Sequence, residues 1–121
     1  MHKSENIQIL PSSTIREAVS LLEGVKTGIV LVVNEEKKLL GTITDGDVRR
    51  ALINLTPLDA NVKTIMSENP VVALRRDDSE KIRELMRDNS LLPMPIIDDG
   101  SGIVWIEFLE RLSENSRVRG K

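Results

Sequence analysis

The stretch Thr44-Asp45-Gly46-Asp47 sets a hydroxyl and a carboxylate three residues apart, where a β-branched run ends and an amphipathic run begins. Those residue types suit a phosphorylated, hydroxyl-rich small molecule. The first turn of a helix exposes unpaired backbone N–H groups at the positive end of its dipole, which favours a phosphate. A threonine hydroxyl there can donate to a phosphate oxygen, and an ionised aspartate only accepts, as is required to hold a pair of ribose hydroxyls. The same spacing has a structural reading. Thr-x-x-Asp at a helix start is close to a capping box, in which the two residues satisfy each other's backbone. A third reading makes Asp45 and Asp47 ligands of a divalent cation, but two carboxylates are few for Mg²⁺ or Ca²⁺. Spacing alone leaves capping and ligand binding open, and one pair of residues can do both. Arg49 and Arg50 follow within a turn, either as phosphate partners or as surface charge.

Elsewhere the chain offers little chemistry. Its one histidine is His2, in a start expected to be disordered, and it has no cysteine, so Ser-His-Asp, Cys-His and zinc arrangements are excluded. There is no Gly-Lys-Ser/Thr phosphate loop. Paired carboxylates are abundant but nothing singles out a catalytic pair, so the expectation is a chain that is not an enzyme and carries no cofactor. A net charge of −2 with only short basic clusters argues against nucleic acid as a partner. No apolar run approaches the ~20 residues that span a bilayer, so no membrane partner is expected. Residues 1–6 lack the apolar centre of a signal peptide, and a cytoplasmic location fits. The only aromatic residues are Trp105 and Phe108, so the core must be built from Ile, Leu, Val and Met.

The elements that position Thr44 and Asp47 emerge when the sequence is slid against itself. Thr14–Val33 lies over Asp78–Ile97 without a gap, with Ala18 on Ile82, Leu21 on Leu85, Leu22 on Met86 and Val33 on Ile97. Beyond that point the match of Gly41 with Gly102 suggests a shorter offset. Each copy reads as a short strand (Ile7–Leu10, Val71–Leu74) and then a helix. Thr14-Ile15-Arg16-Glu17 has capping-box form, with Ile15, Ala18, Val19 and Leu22 as one apolar face. In the second copy Asp78 caps a helix whose face is Ile82, Leu85 and Met86. Two strands around a polar turn follow: Ile29–Val33 with Leu39–Thr44, then Met94–Ile97 with Ile103–Trp105. A second helix closes each copy, Asp47–Ile53 and Glu107–Leu112, and Asn54–Lys63 with Pro57 reads as a linker. The expected fold is α/β (α+β): two β-α-β-β-α repeats, residues 1–61 and 62–121, packed about a pseudo-two-fold axis.

This duplicated unit, with Gly41-Thr42-Ile43-Thr44-Asp45-Gly46-Asp47 at its strand–helix junction and Val62-Lys63-Thr64-Ile65-Met66-Ser67-Glu68-Asn69-Pro70-Val71 entering the second copy, resembles the tandem CBS-domain pair, or Bateman module. The likeness spans roughly Ile7 to Leu112. Leu40 to Leu52 looks most like pairs joined to sugar-phosphate nucleotidyltransferases or arabinose-5-phosphate isomerases. A pair starting close to Met1 suggests the nucleotidyltransferase order, with the catalytic domain after Lys121. The resemblance implies a regulatory module that senses an adenine nucleotide (AMP, ADP or ATP) between the repeats. It assigns Thr44 to phosphate and Asp47 to ribose, and a base pocket to Thr42, Ser67, Val72, Leu91 and Leu92, all of which have ordinary packing as their plainer explanation. It further implies a homodimer of pairs that biases an attached catalytic domain. In the second copy the Gly102 match puts Trp105 at the threonine position and Phe108 at the aspartate position, so one competent site is expected, with both aromatics in the core or a dimer surface. The rival expectation is a ligand-free module that dimerises its parent enzyme.

Overall fold

The computed structural model describes residues 2–3, 5–24, 28–89, 93–98 and 104–108, with 2, 3, 5, 93 and 104–108 described by backbone alone. In chain order the elements are β1 (His2–Lys3), β2 (Gln8–Ile9), α1 (Ile15–Gly24), β3 (Ile29–Val33), β4 (Leu39–Thr44), α2 (Asp45–Ile53), β5 (Ala73–Leu74), α3 (Ser79–Asp88), β6 (Pro93–Ile97) and β7 (Val104–Phe108), with 3-10 turns at Glu5–Ile7 and Val62–Thr64. This is the expected mixed α/β architecture. The chain forms two compact units, Ser4–Pro70 and Met1–Lys3 with Val71–Lys121.

In the Ser4–Pro70 unit the sheet order is β2-β3-β4, with β2 parallel and β4 antiparallel to the central strand. Ile-Val-Leu-Val-Val is β-branched at four of five positions, and all five residues of β3 are buried. Val30 and Val32 point to the face that packs with Ala18, Ile43 and Val62, and Leu21, Leu22 and Val48 close over that cluster. Helix α1 starts at its capping box. The Glu17 N–H donates to the Thr14 hydroxyl at 3.1 Å, and the Thr14 N–H donates back to Glu17 Oε1 at 3.3 Å.

The stretch read as a linker is fastened rather than loose. Ala60 and Leu58 carbonyls accept the N–H groups of Ile15 and Arg16, both at 2.9 Å, and Val62 N–H donates to the Ser13 carbonyl at 2.8 Å. The Ile15 and Arg16 donors belong to the first turn of α1 and have no partner within the helix. The linker supplies one.

The second unit has the sheet order β1-β7-β6-β5. Its core is Ala73, Ile82, Met86, Met94 and Ile96, with Leu85 packed against it. Asp78 caps α3 by accepting from Lys81 N–H at 2.8 Å. His2 and Lys3, expected to be disordered, pair antiparallel with Ile106 and Trp105 of β7. The first strands are shorter than expected in both copies, because Ile7 belongs to a 3-10 turn and Val71 and Val72 precede β5.

The strand ladders correct the internal alignment. In the first unit Ile29 pairs with Thr44, Val30 with Ile43, Leu31 with Thr42 and Val32 with Gly41. In the second, Pro93 pairs with Phe108, Met94 with Glu107, Pro95 with Ile106 and Ile96 with Trp105. The repeat therefore keeps one offset through both hairpins. Phe108 is the counterpart of Thr44, and Trp105 that of Gly41. The match of Gly41 to Gly102 misleads because Gly41 lies within β4, whereas Gly102 precedes β7, which begins at Val104. It also follows that Glu107 and Phe108 are strand, not the start of a helix; the rest of that expected helix lies outside the described residues. Among the described residues no helix is long and apolar enough to cross a membrane.

Candidate functional site

Strand β4 runs into α2 without an intervening loop. Ile43 turns into the core, so Thr42 and Thr44 share the opposite face of the strand. Thr44 is the N-cap of α2 in extended geometry, φ −122° and ψ 174°. It forms a capping box with Asp47: its N–H donates to Asp47 Oδ2 at 2.9 Å and its hydroxyl reaches the same oxygen at 3.2 Å. The structural reading of this motif is thus realised. The other oxygen, Asp47 Oδ1, accepts from Arg50 Nη2 at 2.6 Å. Both carboxylate oxygens are engaged, and the Asp47 side chain is left 12% exposed beneath an Arg50 side chain that is 68% exposed.

A Cβ on Gly46 would make ordinary contacts, 3.5 Å from Arg50 Nη1 and 3.7 Å from the Thr44 hydroxyl, so the guanidinium and that hydroxyl border the same space beside the first turn of α2. Asp45 and Asp47 put two carboxylates into that turn and Arg50 answers with one cation. The helix dipole favours the carboxylates, and the guanidinium offsets part of their charge.

Thr42 is the one buried polar residue among the described residues. Its N–H donates to the Ser67 carbonyl at 3.1 Å and its carbonyl accepts the Ser67 N–H at 2.9 Å. This bridge lays the segment after Thr64 along the outer edge of β4, which would otherwise be an unpaired strand edge. Four of the predicted residues, Thr42, Thr44, Asp47 and Ser67, therefore belong to one unit and are joined in two hydrogen-bonded pairs. Val72 is half-buried in the second unit, and Leu91 and Leu92 lie outside the described residues.

Sequence reasoning missed the Arg50–Asp47 ion pair, although the signal was present. Residues three apart on a helix are neighbours, and Asp47 and Arg50 have opposite charge. It also missed Gly41, where a Cβ would sit 2.7 Å from the Ser67 carbonyl oxygen. In the second copy the ladder places Phe108 opposite Pro93 and Ile106 opposite Pro95, the positions of Thr44 and Thr42. Neither residue has a hydroxyl, so the paired-threonine edge occurs in the first copy alone. Among the described residues no three His, Cys, Asp or Glu side chains gather as a metal ion would require.

The sequence and fold have known relatives. The family model of the CBS domain matches residues 1–54. The inosine-5'-monophosphate dehydrogenase of Methanocaldococcus jannaschii is 33% identical over 100 residues, which is 83% of this chain and 19% of that protein. A probable arabinose 5-phosphate isomerase of Haemophilus influenzae is 26% identical over 100 residues, 81% of this chain and 29% of that protein. The chain spans only 19% to 35% of the length of the first curated relatives it matches. Among solved structures, CBSX2 in complex with AMP superposes with a TM-score of 0.81 at 20% identity, covering 100% of this chain and 95% of that one. A CBS domain pair solved with 5'-methylthioadenosine and S-adenosyl-L-methionine gives 0.78 at 24% identity, covering 93% and 89%. The family model thus identifies a CBS domain in residues 1–54, and the chain as a whole has the fold of a tandem CBS pair.

Proposed function

We propose that this chain is a regulatory module that binds an adenine nucleotide at the β4–α2 corner and is not itself an enzyme. The observation that carries the reading is the half-buried Thr44–Asp47 pair at a helix start, on the strand that also holds the buried Thr42. The Thr44 hydroxyl and the first N–H groups of α2 would take a phosphate, and Asp47 would take the ribose hydroxyls. Thr42 and Ser67 would flank the base. CBSX2 was solved with AMP, and a related pair with two adenosine-containing sulfur compounds, so adenosine is the common element. AMP, ADP and ATP are the expected ligands, and S-adenosylmethionine is the nearest alternative.

The pair would act on a larger catalytic partner, of which a sugar-phosphate nucleotidyltransferase or isomerase is our preferred type. The isomerase-like relative and the short share of each relative that this chain spans support that reading. Two copies would associate, and the exposed Leu52, Ile53 and Leu55 offer an apolar surface for it. For the ligand to act as a switch it must prefer one arrangement of the assembly. A tenfold preference is about 1.4 kcal/mol.

A second reading, a ligand-free dimerisation module, draws on the capping box, which already explains Thr44 and Asp47. Calorimetry with AMP, ADP, ATP and S-adenosylmethionine on the chain and on Asp47→Ala separates the two. Binding by the wild type that is lost in the variant is expected. Absence of heat and of any thermal shift at millimolar ligand would leave the dimerisation module standing.

A further inference from the structure

We infer that Arg50 is a built-in competitor for the ribose at Asp47, which makes the site favour phosphorylated ligands over the bare nucleoside. This rests on the reading of Thr44 and Asp47 as the nucleotide site.

The reasoning starts from how Asp47 is spent. Oδ2 is held by the N–H and hydroxyl of Thr44, at 2.9 and 3.2 Å. Oδ1 is the oxygen that Thr44 leaves to a ribose diol in the ligand-free chain, and Arg50 Nη2 sits on it at 2.6 Å. A sugar hydroxyl aimed at that oxygen competes for it with the guanidinium. Leaving is easy, because the Arg50 side chain is 68% exposed and ion pairs of this kind are weak.

Where the guanidinium goes next decides the specificity. It starts beside Gly46, at the end of the helix where a phosphate would bind. That end carries Asp45 and Asp47, which repel an anion unless a cation stands beside it. A nucleotide displaces Arg50 with its ribose and offers it a phosphate in exchange, through charge-assisted bonds that a guanidinium can make in pairs. A nucleoside displaces it and offers only water.

The test is calorimetric titration of adenosine and AMP into the full chain, into Arg50→Met and into Arg49→Met, which removes the same charge from the next residue. Arg50→Met is expected to bind adenosine about two- to fivefold more tightly than the wild type. Its preference for AMP over adenosine is expected to fall by about tenfold or more. Arg49→Met should change that ratio by no more than about twofold. In the ligand-free wild type, the ¹⁵N guanidinium resonances of Arg50 should show slowed rotation that Asp47→Asn abolishes.

An Arg50→Met protein that binds AMP with wild-type preference over adenosine, or binds adenosine more weakly, overturns the competitor and leaves the site intact. If neither wild type nor Arg50→Met takes up either compound at millimolar concentration, the site itself fails and the competitor falls with it. Equal melting curves for wild type and variant exclude misfolding as the cause.

Discussion

Gly41 and the Ser67 carbonyl approach so closely that no side chain fits between them: a Cβ on Gly41 would meet that oxygen at 2.7 Å and Met66 Sδ at 2.9 Å. The approach exists because Thr42 and Ser67 exchange backbone hydrogen bonds at 2.9 and 3.1 Å, drawing residues 66–67 onto the edge of β4. Gly41→Ala must push backbone away, and we expect a loss of about 1–3 kcal/mol in urea unfolding. Gly24 provides the control. It ends α1 with nothing within 4 Å of where a Cβ would stand, so Gly24→Ala is expected to be neutral or to stabilise by up to about 1 kcal/mol. A similar loss in both variants would show that chain entropy, not the close approach, governs Gly41.

The cap that Asp47 forms and the ribose contact proposed for it come apart by substitution. Asp47→Asn retains an oxygen that can accept from the Thr44 N–H, so its stability should stay within about 0.5 kcal/mol of wild type, whereas Asp47→Ala should lose about 1 kcal/mol. Under the proposed function, nucleotide affinity follows charge instead. Replacing a carboxylate by a neutral acceptor at the ribose is expected to weaken AMP by about tenfold in the Asn variant. Should the Asn variant bind AMP as wild type does, Asp47 is a cap and nothing more.

What was legible in the sequence had local causes. β3 and β4 have the expected boundaries because their β-branched, apolar composition admits little else, and α1 and α3 start at side chains that satisfy their own first turn. The corner at Thr44 was legible for the same reason: strand and helix adjoin and the cap is encoded in four residues. What could not be read depends on contacts distant in sequence. The pairing of His2 with Ile106 joins opposite ends of the chain, and no local pattern announces it. The register of β7 is set by its ladder with β6, so Gly102, which precedes the strand, is a false anchor. The Arg50–Asp47 pair lies between these cases, since spacing allows it and only the fold of the side chain over Gly46 selects it.

Asp77 predicts acid sensitivity in the second unit. The Leu74 N–H donated to its Oδ2 at 2.9 Å is the main reason its carboxyl lies below the ordinary aspartate range, with Lys81 Nζ at 3.2 Å from Oδ1 and the nearby Arg76 acting in the same direction against partial desolvation. The ionised form is the one that folding favours. Its contribution is therefore complete above the unfolded value of about 3.9 and is lost as pH falls below it, through the lower folded value. Asp77→Asn should melt at a lower temperature than wild type at pH 7, and the gap should narrow as pH is taken down from about 4. A gap that is unchanged across that range would mean that the amide loses only packing or geometry.

Leu55 is an apolar residue where the backbone argues against one. It follows the end of α2 with φ +60°, in the left-handed region, and is 86% exposed, beside Ile53 at 72% and Leu52 at 54%. The turn is closed by Thr56 N–H to the Ala51 carbonyl at 2.9 Å, so the conformation is fixed by the helix end rather than by the leucine. A branched residue in that region costs about 1–2 kcal/mol, and asparagine tolerates it better. Leu55→Asn should therefore raise the unfolding free energy by about 0.5–1 kcal/mol when measured at low protein concentration. Under the proposed association of two copies, the same variant should weaken self-association in sedimentation, because it removes the most exposed of these three apolar residues. Stabilisation with unchanged association would exclude this surface from the proposed contact between copies. Destabilisation at low concentration would show that the side chain packs within its own subunit.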